Sequence, residues 1–462
     1  MKPRDLLAAV AAGTLATAVT LLGTGDLLKG WSIDGLFWLR HQAYGALHPA
    51  ASSPSAVIAI DEETFRTLPF AELPQPLWTP QLGKVLSTVL DADAAVVGFD
   101  VILSTSVEPF LHGYDRDYMI ALQRGGRANR VVLGKVQHSQ LPIAPYPGYS
   151  FAVGNARNIR ATNLVGDDDE VIRRAPLTFQ ADDRQTGTRT ETAFALELAS
   201  RAARAPVDWS SGPVTLGGWQ IPQRNDAMLL NFDGGGADVP VYPLGDIYAC
   251  AAAGKLDYFR EHFAGKVVLI GLIADVEDRR TTSRRLINGP DEAGRQPRCA
   301  TEPLAALQGP PIVRDTVPGV LIHATAINNL LRHDVLRELP PTGDAAITGG
   351  AGILAATVSV LTPLGVAAAA LAAGVVLYGA LATVAMHGGL VLPLLAPPIV
   401  VALAFGLILV YRIMITDKDK RRLRQMFARY LSSELVDQMV KEERLPELGG
   451  ERREMSFLFT DV

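Results

Sequence analysis

Charge is missing from two long parts of this chain. No Asp, Glu, Lys or Arg occurs from Leu6 to Gly25, and none from Ala345 to Tyr411. Uncharged runs of this length point to membrane spans and exclude an ordinary soluble protein. The same absence argues against a pump or ion carrier, which keeps ionisable groups at mid-membrane to move charge. The second run holds one histidine, His387, and it stands at a span end, as an interfacial side chain would. A basic excess is also lacking. The formal net charge is −5, which gives no reason to propose nucleic acid as a partner. Cysteine is scarce, with Cys250 and Cys299 alone. Outside the cell a disulfide between them is chemically permitted, and two unpaired small core residues is the equal alternative.

Apolar residues make up 48% of the chain and charged residues 20%, and the apolar excess is concentrated in these runs. Leu6 to Gly25 holds about 20 residues, which at about 1.5 Å rise each reach about 30 Å, one hydrocarbon thickness. Lys2 and Arg4 precede it and favour a cytoplasmic N-terminus. A cleaved signal peptide competes, but no small-x-small site closes the run. Thr362-Pro363 and His387-Gly388-Gly389 divide the second run into three spans, because neither Pro nor Gly favours a continuing helix. Pro393, Pro397 and Pro398 are expected to kink the last span. Gly365, Ala369, Ala370, Gly374 and Gly379 give the middle span small faces, expected to pack within the bundle. Arg412, Lys418, Lys420, Arg421, Arg422, Arg424 and Arg429 follow the last span, opposed only by Asp417 and Asp419 before Glu434. That basic excess belongs in the cytoplasm. Four crossings from an inside N-terminus also end inside, so the intervening residues belong outside the membrane.

That outer part alternates apolar strands with helical patterns. Ala56 to Ile60, Ala94 to Phe99, Val131 to Gly134 and Val267 to Gly271 read as buried strands. Thr79 to Leu90 and Ile322 to Leu331 have helical spacing. The alternation predicts an α/β domain around a largely parallel sheet. Such sheets bind ligands beyond the carboxyl ends of their strands, where Asp61 and Asp100 stand as a candidate ligand-facing pair. The plainer reading is that Asp61 caps a helix beginning near Glu62 and Asp100 satisfies loop amides. No convergent His or Cys accompanies them. Asp167-Asp168-Asp169-Glu170 lacks the Gly and the spaced carboxylates of an EF-hand loop. It reads as a solvated turn whose charge Arg173 and Arg174 offset.

Six stretches occur in order: VIAIDEETF (Val57 to Phe65), VVGFDVILS (Val96 to Ser104), DDDEVIRRAP (Asp167 to Pro176), LLNFDG (Leu229 to Gly234), GKVVLIG (Gly265 to Gly271) and VPGVLIHATAINNLL (Val317 to Leu331). Together they resemble the second type of CHASE extracellular sensory domain. The resemblance covers about Trp31 to Arg337. It implies a bacterial receptor with one span before the sensor and three after it. Two departures stand out. Glu170 occupies a position that is usually Gly in that family, and Asp278 to Asp315 is a longer and more polar loop, with six Arg between Arg279 and Arg298.

In the tail, Leu423, Phe427, Tyr430, Leu431, Leu435 and Met439 recur every three or four residues and form one apolar helical face. This predicts a signalling helix that stops before Pro446 and pairs in a parallel dimer. A helix lying on the membrane and a stripe buried against a soluble domain compete. Arg421 to Val440, followed by LGGERREMSFLFTDV (Leu448 to Val462), is similar to the junction of membrane-bound class III nucleotidyl cyclases. By that resemblance Asp461 is the first metal ligand and the backbone carbonyl of Val462 faces the second metal, two Mg2+ or Mn2+ serving the complete enzyme. The remaining catalytic residues lie downstream in that family, so the chain is expected to be truncated at the start of the catalytic domain.

The expected organisation is residues 1–25 as N-terminus and first span, 26–343 as an extracytoplasmic α/β sensor, 344–411 as three spans, 412–446 as the signalling helix and 447–462 as the start of a cyclase domain. The expected function is the sensing and transmembrane part of an adenylate or guanylate cyclase in the bacterial inner membrane. It would act as a homodimer, respond to an unidentified outside ligand, and use ATP or GTP only through the missing domain. A non-catalytic receptor or decoy is the alternative. A histidine kinase would show a His on the dimer helix, and Arg421 to Val462 has none.

Overall fold

The computed structural model describes residues 3–137, 142–183, 187–210, 212–232, 238–274, 279–287, 296–302, 316–416, 456 and 460. Phe427, Tyr430, Leu431, Leu435, Asp461 and Val462 lie outside these residues. The described residues divide into two compact units, one within 1–19, 349–373 and 398–416, the other within 20–348 and 374–397.

The larger unit is an α/β domain. The chain enters it along α1 (Pro3–Tyr44), then alternates β1 (Ser55–Ile60), α2 (Thr79–Asp91), β2 (Val96–Asp100), α3 (Arg116–Arg127), β3 (Val131–Lys135), α4 (Pro147–Val153) and β4 (Ile159–Ala161). Smaller strands follow: β5 (Arg174–Pro176), the hairpin β6 (Thr178–Asp183) and β7 (Gly187–Thr192), then after α5 (Phe194–Ala203) the meander β8 (Val207–Asp208), β9 (Thr215–Leu216) and β10 (Trp219–Gln220). β11 (Ala227–Leu229) pairs back on β5. The chain returns to the main sheet at β12 (Val241–Pro243), passes α6 (Leu244–Ala252) and α7 (Leu256–Phe263), and inserts β13 (Val267–Leu272). β14 (Arg279–Thr281) pairs with β15 (Thr316–Pro318), which leads into α8 (Gly319–Arg332).

The main sheet has the order β12-β1-β13-β2-β3-β4, and every neighbouring pair is parallel. Both faces are covered, which is why its strands read as unbroken apolar runs. Val57, Ala59, Val96, Val132, Val267 and Leu269 face one core with α5, α8 and the Ile33, Leu36 and Phe37 stripe of α1. Ala56, Ile58, Val97, Phe99, Val268 and Ile270 face the other, with α2, α3, α6 and α7. Gly98 admits α5 to the sheet. A Cβ there would stand 2.6 Å from Leu198 Cδ1 and 2.8 Å from Phe194 Cζ.

Among the described residues four helices are long and apolar enough to cross a membrane: Pro3–Leu22 within α1, α9 (Pro341–Leu361), α10 (Leu364–His387), and Ala396–Met414, which begins with α11 (Ala396–Tyr411). α1 runs on to Tyr44, well past the end of the uncharged run at Gly25. α9 and α10 meet at Thr362-Pro363 as the sequence indicates, since Pro lacks the N–H and disfavours helix in the residue before it. β16 (Arg337–Glu338), before α9, pairs with β17 (Leu390–Val391), after α10. Two expectations are corrected. Pro397 and Pro398 occupy the first turn of α11 and Pro393 precedes it, so they start the last span rather than kink it; a first-turn N–H has no helical partner to lose. A Cβ added at Gly365, Gly374 or Gly379 of α10 would meet no other element within 4 Å among the described residues. The small face of α10 is therefore uncovered among the described residues, and Val376 and Leu377 beside it are 74% and 72% exposed.

Candidate functional site

Asp61 and Asp100 both lie at the carboxyl edge of the main sheet, at the ends of β1 and β2, with β13 between those strands. Their environments differ. Asp61 Oδ1 accepts the backbone N–H of Thr64 at 2.8 Å and its hydroxyl at 2.7 Å, closing the short turn after β1. Burial raises its pKa, and the Thr64 bonds partly offset that. The sequence allowed Asp61 to cap a helix beginning near Glu62; the short helical turn instead begins at Thr64, and Asp61 closes the turn leading into it.

Asp100 does not satisfy loop amides. Among the described residues its carboxyl accepts no hydrogen bond, and its nearest ionisable neighbour is His323 Nε2 at 3.9 Å. Gly271 stands beside it in β13, and the first turn of α8 comes down over both. A Cβ on Gly319 would lie 3.9 Å from Asp100 Oδ2, and one on Gly271 would be 2.6 Å from Val320 Cγ2. Burial pushes the Asp100 carboxyl up to about 8. His323 Nε2 meets the Thr162 carbonyl at 3.0 Å, which calls for the Nε2–H tautomer and leaves Nδ1 buried without a hydrogen-bond partner among the described residues. Burial lowers His323 to about 4, against the Thr162 bond, which raises it. At neutral pH the edge thus holds a neutral carboxyl and a neutral imidazole. The pair can exchange hydrogen bonds with a polar ligand and can respond to charge. Histidine was missed in the sequence because α8 reads as a plain apolar helix and Asp100 lies far back in the chain.

The acidic run is a turn whose charge Arg173 and Arg174 offset, as the sequence indicates, but only Asp168 and Glu170 are exposed, while Asp167 and Asp169 turn inward onto a buried guanidinium. Arg173 is 1% exposed, and its guanidinium binds three carboxylates. Nε and Nη2 donate to the two oxygens of Asp34 at 3.0 and 2.9 Å. Nη1 and Nη2 donate to Asp169 at 2.7 Å each, and Nη1 reaches Asp167 Oδ2 at 3.0 Å. Asp34 is itself fully buried on α1 and meets Arg285 Nη2 at 2.7 Å. Arg285 also stacks over the Trp31 ring, 4.2 Å from its centroid. Arg174 links Asp167 to Glu338 through bonds of 2.7 Å to each, and Lys29 of α1 lies 3.0 Å from Glu338. Hydrogen bonds from Arg173 hold Asp169 below the usual carboxylate range. Burial would raise Glu338, but Arg174 and Lys29 outweigh it and hold it low. The network therefore ties the continuation of α1 to the acidic turn, to β5 and to β16. Gly30 makes room for it, since a Cβ there would stand 2.9 Å from the Arg173 guanidinium.

Cys250 of α6 is disulfide-bonded to Cys299. Asp246 accepts the N–H groups of Cys299, Ala300 and Thr301 at 2.7–2.9 Å, which hold its pKa low although burial acts to raise it. Arg298 pairs with Glu63 through bonds of 3.0 and 2.7 Å. The segment 296–302 is thus clamped beside the turn that Asp61 closes.

A family model for the CHASE2 domain matches residues 8–362, taking in most of the first apolar helix, the α/β domain through α8, and α9. The chain belongs to the CHASE2 family. CHASE2 is a sensory domain typical of signalling receptors. Comparison with curated proteins and with solved structures gives no match. Within this CHASE2 chain the position of Glu170 has a physical explanation. Its φ is +61°, the left-handed region that Gly enters without strain. The tight turn, with Asp167 accepting from Glu170 N–H at 2.8 Å, imposes that angle whichever residue stands there.

Proposed function

We propose that this CHASE2 chain is the sensing and membrane-spanning part of a receptor nucleotidyl cyclase, which makes cyclic AMP or cyclic GMP from the nucleoside triphosphate. The observation that carries the cyclase reading is the wording of Arg421 to Val440 and Leu448 to Val462, which is similar to the entry of class III catalytic domains. It follows a sensory domain and four apolar helices in the order a receptor requires. In this reading the sensor lies outside the membrane, the tail lies inside, and the chain works as a homodimer because class III sites form between two protomers. Mg2+ or Mn2+ belongs to the complete catalytic domain, with Asp461 and the Val462 carbonyl as its first contacts from this chain.

Transmission follows from the ion network. A ligand at the carboxyl edge of the sheet that binds two arrangements of the domain unequally shifts their populations. Arg173, Asp34 and Glu338 pass that difference to α1 and to the start of α9, because a buried carboxylate–guanidinium pair tolerates little separation. The test joins the chain in frame to a complete class III catalytic domain and measures cyclic nucleotide formation in membranes, with ATP and with GTP. Asp34→Asn and Arg173→Gln are expected to change the basal rate several-fold. A rate indifferent to both substitutions and to deletion of residues 45–335 would remove the receptor-cyclase reading.

A further inference from the structure

A cavity of about 80 Å3 lies within the larger unit between α1, the start of α9 and the segment leading into α11. Leu21, Leu28, Ile33, Leu339, Leu392 and Ala396 give it apolar walls. Lys29, Glu338 and Asp344 stand at its polar end. Leu21, Thr348 and Ala396 belong to the apolar stretches long enough to span a membrane, whereas Lys29 and Glu338 lie beyond them. The cavity therefore runs from hydrocarbon depth to the polar boundary, the gradient that orients an amphiphile.

Thr348 lines this cavity. It is fully buried, and among the described residues its hydroxyl has no hydrogen-bond partner. That is out of pattern for these helices. Thr17, Thr357, Thr362 and Thr383 each donate to the carbonyl four residues back, at 2.7–2.8 Å. Ser32, also at the cavity, donates to Leu28 O at 2.6 Å and accepts Leu395 N–H at 3.0 Å. A buried hydroxyl that forgoes the local carbonyl has lost its water without compensation, so it calls for an acceptor in the space it faces. The acceptor need not be charged. The polar end already sets Lys29 and Arg174 against Glu338 and Asp344, with Lys29 3.0 Å from Glu338 and 3.8 Å from Asp344. An added anion would meet two carboxylates.

We propose that this cavity binds the apolar chain of an uncharged ester or ketone, with Thr348 Oγ1 donating to its carbonyl oxygen. A cavity of this size takes part of a chain, so the rest of the ligand lies outside it. The same chemistry comes from the acyl ester of a bilayer lipid or from a free ester amphiphile. The inference does not depend on which output the cytoplasmic tail drives.

The full chain is reconstituted in discs of dioleoylphosphatidylcholine and in discs of its ether-linked analogue, which lacks the carbonyls, and its thermal unfolding is followed with and without ethyl decanoate. Lipid as the source predicts a higher Tm in ester than in ether discs. A free ester as the source predicts that ethyl decanoate raises the Tm in ether discs. In either case Thr348→Val, which keeps the volume, is expected to weaken the response about 3–10-fold, and Thr348→Ser is expected to retain it. Absence of both responses in the unmodified chain, as a cavity holding water alone would give, overturns the proposal. So does a Thr348→Val response equal to that of the unmodified chain.

Discussion

Asp100 and His323 are 3.9 Å apart, yet burial acts on them in opposite senses along the pH axis. Asp100 is raised to about 8 in the folded chain, so its stabilising protonated form is lost as pH climbs from its unfolded value toward 8. His323 is lowered to about 4, so the stability that its neutral form provides is lost as pH falls from about 6.5 toward 4. Between about pH 4 and 6.5 the folded chain holds one extra proton on Asp100 and one fewer on His323, and the two slopes cancel. Between about 6.5 and 8 Asp100 acts alone, and stability is expected to fall by about 2 kcal/mol. Asp100→Asn should flatten that limb and leave a slope only below pH 6.5, as thermal unfolding across pH would show. Glu170 offers a second residue-level test. An L side chain at a φ of +61° is strained by about 1 kcal/mol, and the Glu170 side chain is exposed. Glu170→Gly should therefore raise stability by up to about 1 kcal/mol, and a lowered Tm would show that the turn is not strained.

At the scale of elements, the continuation of α1 is held by charge as well as by its buried Ile33, Leu36 and Phe37 stripe. Asp34 is fully buried and faces Arg173 and Arg285. Removing one partner of a buried pair leaves the other uncompensated, so Asp34→Ala should cost about 3–5 kcal/mol. Replacing Arg173 by Met as well should recover part of that loss, which a double-mutant cycle on unfolding free energy measures. Such a network could not be read from the sequence. Asp34 and Arg173 are 139 positions apart, and no periodicity relates them. The acidic run was visible, but a run of carboxylates next to two arginines looks the same whether it faces water or closes over a buried guanidinium. The sheet was readable for a simple reason. Val57 to Ile60, Val96 to Phe99 and Val267 to Ile270 are buried on both faces, so composition alone marks them. β12, which adds to the sheet beside β1, has Tyr242-Pro243 at its end, and its two-residue apolar signal is too short to separate from a loop. His323 and Thr348 were hidden because each sits in a helix whose pattern is satisfied by apolar neighbours.

For the whole molecule, the decisive quantity is the side of the membrane on which the α/β unit stands. Lys2 and Arg4 precede the first apolar helix, and Arg412 to Arg429 follow the last with a large basic excess. In the proposed reading, four crossings by the four apolar helices would return both ends to the cytoplasm. The Cys250–Cys299 disulfide supports the same placement, since such a bond persists in an oxidising compartment and is reduced in the cytosol. Gly212 is an exposed loop residue with nothing within 4 Å of a Cβ placed there, so an insertion at that point disturbs little. Alkaline phosphatase, which needs oxidising conditions to fold, should be active when inserted at Gly212 and inactive when joined after Val462. A green fluorescent protein should report the reverse. In intact cells a thiol reagent should modify neither cysteine until a reductant is added. Phosphatase activity only at Val462, with both thiols free, would place the sensor in the cytoplasm. The Asp100–His323 edge would then face a cytoplasmic ligand, and a receptor for an outside signal would be excluded.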